Sequence, residues 1–126
     1  MTNFEKVGIF MKTFGQEVKT NPSLSTDKIN ELRINLINEE LDELKVAMIK
    51  KDLVEIADAL GDKLYILCGT ILAHGLQDKI VEVFNEIQRS NMSKLSAEGK
   101  PVIREDGKIL KGPNYFKPNI KSILEK

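Results

Sequence analysis

Acidic side chains recur at a spacing of three and four residues in two neighbouring stretches of the chain. Glu39, Glu40 and Glu43 stand in the first stretch, and Glu55 and Asp58 stand in the second. Residues three or four apart share one face of a helix, so each stretch can gather its carboxylates on a single side. Gathered carboxylates offer the oxygen ligands that hard divalent cations prefer. The pattern therefore indicates a metal site.

The first stretch lies on a predicted helix from about residue 27 to 50, where the acids fall among apolar positions. At about 100° per residue, with Leu36 as zero, the apolar side chains fill a broad arc that should face the core. Glu40 lies at about +40° and Glu43 at about −20°, inside this arc, whereas Glu39 lies at its edge at about −60°. Two of the acids are thus expected to point inward.

A predicted third helix, which Asp52 would cap and which continues to His74, repeats this pattern. Glu55, Asp58 and Asp62 lie within about 60° of one another around its axis. If the two helices pack antiparallel through a short connection, the acidic stripes face each other. Burying an unpaired carboxylate costs several kcal/mol, so a cation must neutralise the cluster. Oxygen ligands without histidine or thiolate select Mg²⁺ or Mn²⁺ over zinc.

Simpler interpretations of the acids stay open beside the metal site. Asp52 and Glu55 could form only a helix capping box. The inward acids could instead pair with lysine and arginine side chains on the surface of a partner. Asp62 could bind a second metal ion, support a ligand residue from behind, or be an exposed acid. The coincidence of two inward stripes favours the metal.

The elements that must position these acids are predicted to be mainly helical. A length of 126 residues allows one ordinary domain. Apolar periodicity predicts a first helix over residues 4–18 and a fourth over about 76–89. Beyond Ser90, glycine and proline are frequent, and Asp106-Gly107 between apolar pairs predicts a small β-hairpin. Asn119 would cap a last helical turn through Leu124.

The charge distribution separates a helical part from a basic tail. We assign residues 1–95 to a helical metal-binding catalytic domain and residues 96–126 to a basic C-terminal tail of the same domain. The chain carries 19 basic and 19 acidic residues, but its net charge is −5 over residues 1–88 and +5 over residues 89–126. The balanced total gives no global attraction, so we expect neither a nucleic acid nor a membrane as partner.

Cysteine, histidine and hydrophobic runs exclude further classes. One cysteine excludes an internal disulfide framework, and one histidine excludes a zinc site with several histidines. The longest apolar run, residues 64–73, is about half of the ~20 residues that a membrane helix needs. The N-terminal residues lack the pattern of a signal peptide. We therefore expect a cytoplasmic protein.

The acidic residues resemble a known motif. Glu39-Glu40-Leu41-Asp42-Glu43 followed by Glu55-Ile56-Ala57-Asp58 resembles the EExxE…ExxD motif of the MazG-like all-α nucleoside triphosphate pyrophosphohydrolases. This superfamily includes the dimeric dUTPases and the phosphoribosyl-ATP pyrophosphohydrolases. The likeness extends through residues 58–65, 90–94 and 112–115, and so covers most of the chain.

The resemblance implies both a fold and a reaction. The fold would be a four-helix MazG-like bundle that carries a short C-terminal β-hairpin or an extended tail. The reaction would be the Mg²⁺-dependent hydrolysis of a nucleoside triphosphate to the monophosphate and pyrophosphate, with Mn²⁺ as a possible substitute. Glu39 would orient or deprotonate the attacking water. The implied metal ligands are Glu40, Glu43, Glu55 and Asp58.

Cations must also contact the phosphates, because a triphosphate carries about four negative charges. Lys94 and Arg104 in the basic tail are candidates, and Lys63 on the third helix is another. A solvated charged surface is the simpler interpretation of each. Lys94 lies inside a stretch that resembles the superfamily, which favours it over the others.

Two other functions and an oligomeric state complete the expectations. The chain could be a phosphoribosyl-ATP pyrophosphohydrolase, or a non-catalytic helical module that binds a metal or a basic partner. The small size of the helical set and the resemblance imply a homodimer or a homotetramer. No residue pattern identifies the preferred base or sugar of a nucleotide substrate.

Overall fold

The computed structural model describes all residues from Met1 to Lys126 and confirms the predicted all-α fold. Four long helices and one short helix are present, and there is no β-sheet. The helices are α1 (Asn3–Thr13), α2 (Asp27–Lys50), α3 (Leu53–Ala73), α4 (Ile80–Met92) and α5 (Ile120–Leu124). The chain divides into two compact units, Met1–Asp78 and Lys79–Lys126. The domain bounds 1–95 and 96–126 stay a prediction.

In the first unit, α2 and α3 form the predicted antiparallel hairpin. The Thr26 side chain begins α2 by accepting a hydrogen bond from the Ile29 N–H at 3.2 Å. Lys51 ends α2 with a left-handed backbone at φ 56°. Asp52 then begins α3 by accepting from the Glu55 N–H at 3.2 Å. These caps reverse the chain within two residues and place both acidic stripes on adjacent helices.

Helix α1 packs against α3 but is shorter than predicted. It ends at Thr13, and Gly15 follows with φ 78°, a conformation that favours glycine. The Gln16 N–H closes this turn on the Met11 carbonyl at 2.7 Å. Val18 nevertheless packs against the core from the loop. Its spacing from the apolar residues of α1 therefore reflects its burial, although it does not lie in a helix.

The loop between α1 and α2 is tied to the end of α3. The Lys19 N–H donates to the Leu72 carbonyl at 3.0 Å, and the Ser23 N–H donates to the His74 carbonyl at 3.0 Å. Gly75 follows His74 with φ 64°, and a side chain there would collide with the Asn21 backbone. The predicted end of α3 at His74-Gly75 is therefore confirmed, and it also anchors the start of α2.

The core of the first unit is small. Val7 and Met11 of α1 pack with Cys68 and Leu72 of α3, and each is at most 5% exposed. Many large apolar side chains stay on the surface of this unit. On α3 they are Leu53, Val54, Leu60, Leu64, Tyr65 and Leu67.

The second unit contains α4, an irregular segment and α5. Helix α4 begins at Ile80, four residues later than predicted, and continues to Met92. The buried Ser90 side chain donates to the Phe116 carbonyl at 2.8 Å, and the Ser93 hydroxyl accepts from the Phe116 N–H at 3.1 Å. The prediction that Asn119 caps a final turn through Leu124 is confirmed.

The predicted β-hairpin in this unit is replaced by an extended tail with one tight turn. Antiparallel pairing is limited to a single bridge between Ile103 and Ile109. The Asp106 carboxylate accepts from the Lys108 N–H at 3.1 Å and so stabilises the turn. Pro101 and Pro113, which flank this segment, lack the N–H groups that further strand pairing would require.

None of the helices combines the length and the apolar character that crossing a membrane requires.

Candidate metal and nucleotide site

Three carboxylates of the α2–α3 hairpin come together in a cluster. Oxygen atoms of Glu40, Glu43 and Asp62 all lie within 4.8 Å of one another. Glu43 and Asp62 are exposed, whereas Glu40 is half-buried. The Oε2 atom of Glu40 is fully buried and has no hydrogen-bond partner. An unpartnered carboxylate oxygen beside two further carboxylates is an arrangement that could hold a cation.

The sequence explains why these side chains meet. Glu40 and Glu43 are three residues apart on α2 and share a face, and the antiparallel packing of α3 places Asp62 opposite them. The small residues Ala47 and Ala59 are both buried, at 2% and 3% exposure, and permit the two helices to pack closely. The hairpin therefore supplies a rigid frame for the acids.

Electrostatics at the cluster disfavour the charged form of Glu40. Its burial raises the pKa of Glu40, and the nearby like charges of Glu43, Asp62 and Asp58 raise it further. A bound cation would reverse the balance, because it stabilises the ionised carboxylates that now repel each other.

Glu55 and Asp58 border a groove of about 380 Å³ between α2 and α3. Glu43 also lines this groove, which joins it to the three-carboxylate cluster. Glu55 lies 3.9 Å from the Lys50 ammonium, and its N–H donates to Asp52. Asp52 thus caps α3, but the second bond of a capping box is missing because the Asp52 N–H donates to the Ala47 carbonyl, and the ion pair of Glu55 is with Lys50 of the same chain rather than with a partner.

Asp62 joins the cluster more directly than the sequence suggested. On α3 it is one turn beyond Asp58 and two turns beyond Glu55. One of its carboxylate oxygens lies within 4.8 Å of an oxygen of Glu40 and of an oxygen of Glu43. Glu39 is exposed on α2 beside Glu40 and outside the three-carboxylate group. The structure thus brings Glu40, Glu43 and Asp62 together and leaves Glu39 facing solvent.

The three predicted phosphate contacts have different surroundings. Lys63 is half-buried and directly follows Asp62 on α3. Lys94 is half-buried just after α4, and its carbonyl accepts from the Gly112 N–H at 2.8 Å. Arg104 is exposed and donates through Nε and Nη2 to Asp106 at 2.9 and 2.6 Å. Its guanidinium is already paired, whereas Lys63 and Lys94 take part in no ion pair.

One charged residue that the sequence analysis did not single out lies inside the hairpin. Arg33 of α2 is 6% exposed and has no acidic partner. It donates through Nε to Thr70 Oγ1 at 3.0 Å and through Nη2 to the Ile66 carbonyl at 2.6 Å. Its position on the helix indicates burial, because Arg33 falls at about +60° from Leu36, inside the apolar arc.

Comparison with known proteins identifies a family for most of the chain. Residues 7–91 match the family described as phosphoribosyl-ATP pyrophosphohydrolase. The chain belongs to this family. The family lies within the MazG-like pyrophosphohydrolase superfamily, so the resemblance noted in the sequence is confirmed. No curated protein matches the chain with significant similarity.

Membership assigns the chain to the pyrophosphohydrolases, a class of hydrolases. The matched residues contain the whole α2–α3 hairpin, and with it every acidic candidate, Lys63 and Arg33. Lys94 and Arg104 lie beyond the match. The family relationship therefore covers the acidic cluster and does not extend to the basic tail.

Proposed function

We propose that this pyrophosphohydrolase cleaves a nucleoside triphosphate to the monophosphate and pyrophosphate, with Mg²⁺ bound by the α2–α3 hairpin. One observation carries the proposal. Glu40 holds a buried, unpartnered carboxylate oxygen within 4.8 Å of oxygens of Glu43 and Asp62. A fold that only needed a stable hairpin would gain nothing from placing these charges together, since like charges repel.

The residues present fit a hard divalent cation. All the candidate ligands are carboxylates, and the cluster has room for several oxygens around one ion. We propose Glu40, Glu43 and Asp62 as the ligands that the geometry favours, and Glu55 and Asp58 as the further ligands that the superfamily motif implies. When bound, the metal would neutralise charge on the phosphates and polarise the bond that is cleaved. Mn²⁺ would satisfy the same ligands.

The remaining groups would handle the water and the phosphates. Glu39 lies exposed next to Glu40, where its carboxylate can accept a proton from the attacking water. Lys63 and Lys94 have uncommitted ammonium groups that can bind phosphate oxygens. Arg104 would have to leave Asp106 to do so, which makes it the weakest of the three.

The family description supports phosphoribosyl-ATP as a second candidate substrate. Both substrates carry the same α–β phosphoanhydride, so the same acidic cluster could serve either. A non-catalytic metal-binding module is the remaining alternative.

We further propose a homodimer or homotetramer, because the first unit exposes a row of large apolar side chains on α3. We propose a cytoplasmic location and no nucleic-acid or membrane partner.

The deciding experiment measures pyrophosphate release from the four common nucleoside triphosphates and from phosphoribosyl-ATP, each with Mg²⁺ and with chelator. We expect Mg²⁺-dependent release from at least one triphosphate at a higher kcat/KM than from phosphoribosyl-ATP. The reverse order would make the chain a phosphoribosyl-ATP pyrophosphohydrolase. Binding of Mn²⁺ without turnover of any nucleotide would favour the non-catalytic module.

Metal titration of two matched variants separates the two ligand sets. Asp62→Asn removes an acid of the cluster, and Glu55→Gln removes the acid that is paired with Lys50. If the geometry describes the ligands, Mn²⁺ affinity falls more in Asp62→Asn than in Glu55→Gln. A larger loss of Mn²⁺ affinity in Glu55→Gln would instead support the ligands that the motif implies.

A further inference from the structure

A second cavity in the first unit surrounds the buried guanidinium of Arg33. It has a volume of about 270 Å³ and lies between α1, α2 and α3. Its walls are mostly apolar and include two aromatic rings, Phe10 and Tyr65, that pack edge to face at 5.6 Å. The cavity is also lined by Met11, Gln16 and Leu36 and by Gly69, which has no side chain.

Arg33 has more donors than the fold uses. An arginine carries five N–H groups, and the two hydrogen bonds to Thr70 and Ile66 leave three of them free. The Nη1 group bonds to no residue of the chain. Burial lowers the pKa of Arg33, as expected for a cation without a counter-ion. An apolar cavity with one unsatisfied planar donor group suits a flat ligand that has acceptors along one edge.

The cavity stands at a defined distance from the acidic cluster. Arg33 and Glu40 are seven residues apart on α2, which places them on one face about 10 Å apart along the helix axis. Gly69 and Asp62 are seven residues apart on α3 as well. A phosphate held at the acids could thus extend along the hairpin, through a ribose, to a base in the cavity.

We propose that this cavity binds the nucleobase of the substrate and that the Arg33 guanidinium selects bases with two adjacent acceptors, guanine or cytosine, over adenine. The inference rests on the proposed nucleotide hydrolysis. Guanine offers O6 and N7, and cytosine offers O2 and N3, to two parallel N–H donors. Adenine places an amino group beside its ring acceptor, so one donor of Arg33 would face another donor. Phe10 and Tyr65 supply faces for stacking.

An apolar wall argues against a phosphate in this cavity. A phosphate would exchange its water shell for one guanidinium, the amide of Gln16 and several hydrocarbon side chains, which leaves most of its oxygens unpaired. A base buries apolar faces and presents only its edge to Arg33. The same reasoning disfavours a free carboxylate.

The first test compares kcat/KM for GTP, CTP, UTP and ATP in the wild type. A bidentate contact of this kind discriminates by about 5- to 150-fold, and we expect GTP or CTP to exceed ATP within that range. Arg33→Met should reduce the preferred substrate to the level of ATP with little change in kcat. An equal loss for all four substrates, with their ratios unchanged, would mean that Arg33 only stabilises the hairpin.

A glycine pair provides a variant that keeps the arginine. A side chain at Gly69 would collide with the Arg33 guanidinium, whereas one at Gly61 on the same helix meets nothing within 4 Å. Gly69→Ala should therefore weaken the base preference, and Gly61→Ala should retain it. Identical preferences in the two variants would overturn the proposal.

Nucleoside binding separates this proposal from the hydrolysis on which it rests. Guanosine, cytidine and adenosine lack phosphates, so their binding is independent of the metal cluster and of turnover. We expect guanosine or cytidine to perturb the NMR signals of the Phe10 and Tyr65 rings at lower concentration than adenosine. If these nucleosides bind but no triphosphate is cleaved, the proposed function fails and the base site stands. If no nucleoside binds, or if inorganic pyrophosphate alone perturbs these rings, the base site fails.

Discussion

The α2–α3 hairpin and the region from Lys79 to Lys126 differ in how their acidic side chains are paired. In the hairpin, Glu40, Glu43 and Asp62 gather, and none of them forms an ion pair with a lysine or an arginine. In the second region four of the six acidic residues are paired with basic partners. The pairs are Glu86–Arg89, Arg104–Asp106, Lys121–Glu125 and Glu82–Lys126. Net charge does not distinguish paired from unpaired side chains, so we take the unpaired cluster as the stronger indication of a site.

The difference has a local cause. The tail pairs Arg104 with Asp106 across a tight turn, so two residues close in sequence carry opposite charges. The hairpin acids are carried by two packed helices, which hold like charges close together. Rigid like charges cost stability, and such a cost is typically retained where a ligand offsets it. This contrast points to the hairpin as the centre of the chemistry.

The largest effect is expected from removing one charge of the three-carboxylate cluster. Glu40→Gln removes a charge while retaining the shape, and it should abolish Mg²⁺-dependent pyrophosphate release. The metal-free protein should unfold at a higher temperature than the wild type, because the repulsion that raises the pKa of Glu40 is relieved. Turnover and thermal unfolding without metal would be measured together.

The matched control for this change is Glu31→Gln, which removes an exposed acid from the same helix. It should leave turnover and thermal stability close to those of the wild type. A Glu40→Gln protein that still releases pyrophosphate at the wild-type rate would contradict the assignment of the cluster.

A smaller effect should separate the water-activating acid from the ligands. Glu39→Gln should lower kcat by about 10²–10⁴, the range for loss of a general base, while Mn²⁺ affinity stays near the wild-type value. Glu39 is exposed and outside the three-carboxylate group, so its charge is not needed to hold the ion. Parallel loss of metal affinity and kcat would instead make Glu39 a ligand.

Much of this hairpin could be predicted from the sequence because its signals are local. Thr26 and Asp52 cap helices where the sequence predicts helix starts, and Gly75 ends α3 where glycine is favoured. Helical period alone predicts that Glu40 and Glu43 point inward; Glu40 is half-buried as predicted, whereas the prediction is wrong for Glu43, which is exposed. The closeness of Asp62 to them depends on how two helices pack, which no single-helix pattern specifies.

The failures of prediction follow from the same distinction. Val18 keeps the apolar spacing of α1 although the chain has already left the helix at Gly15, because burial and helicity are separate requirements. The Asp106-Gly107 turn forms, yet strand pairing stops at one bridge since prolines flank it. Arg33 was overlooked because arginine is ordinarily exposed, and only its position in the apolar arc indicated burial.

A third prediction sharpens the comparison within the basic residues. Lys94→Ala should raise KM for the substrate by about 10-fold or more, the effect of losing one charge-assisted hydrogen bond. Arg104→Ala should raise KM less, because its guanidinium already bonds Asp106 in the free protein. Steady-state kinetics of the two variants would provide the ranking. A larger effect of Arg104→Ala would mean that the ion pair opens to receive phosphate.

The smallest expected effect is a pH dependence of stability that has opposite signs in the two regions. Hydrogen bonds from Arg89 and from the Asn119 N–H lower the pKa of Glu86 from 4.5 to about 2. Ionised Glu86 therefore stabilises its region above pH 4.5, and this contribution is lost as the pH falls towards about 2. Glu40 behaves oppositely, because burial raises its pKa above 4.5. Without metal, its contribution to stability is greatest below pH 4.5 and is lost as the pH rises through the raised pKa.

Neutral variants make both signs measurable by thermal unfolding in chelator. At pH 7, Glu86→Gln should unfold at a lower temperature than the wild type, and the difference should disappear as the pH falls towards about 2. Glu40→Gln should unfold at a higher temperature at pH 7, with a difference that shrinks as the wild-type carboxyl becomes protonated on acidification. Differences of the same sign in both variants would show that the two regions do not treat charge differently. Opposite signs would show that ionised Glu40 destabilises the metal-free hairpin, whereas ionised Glu86 stabilises its own region.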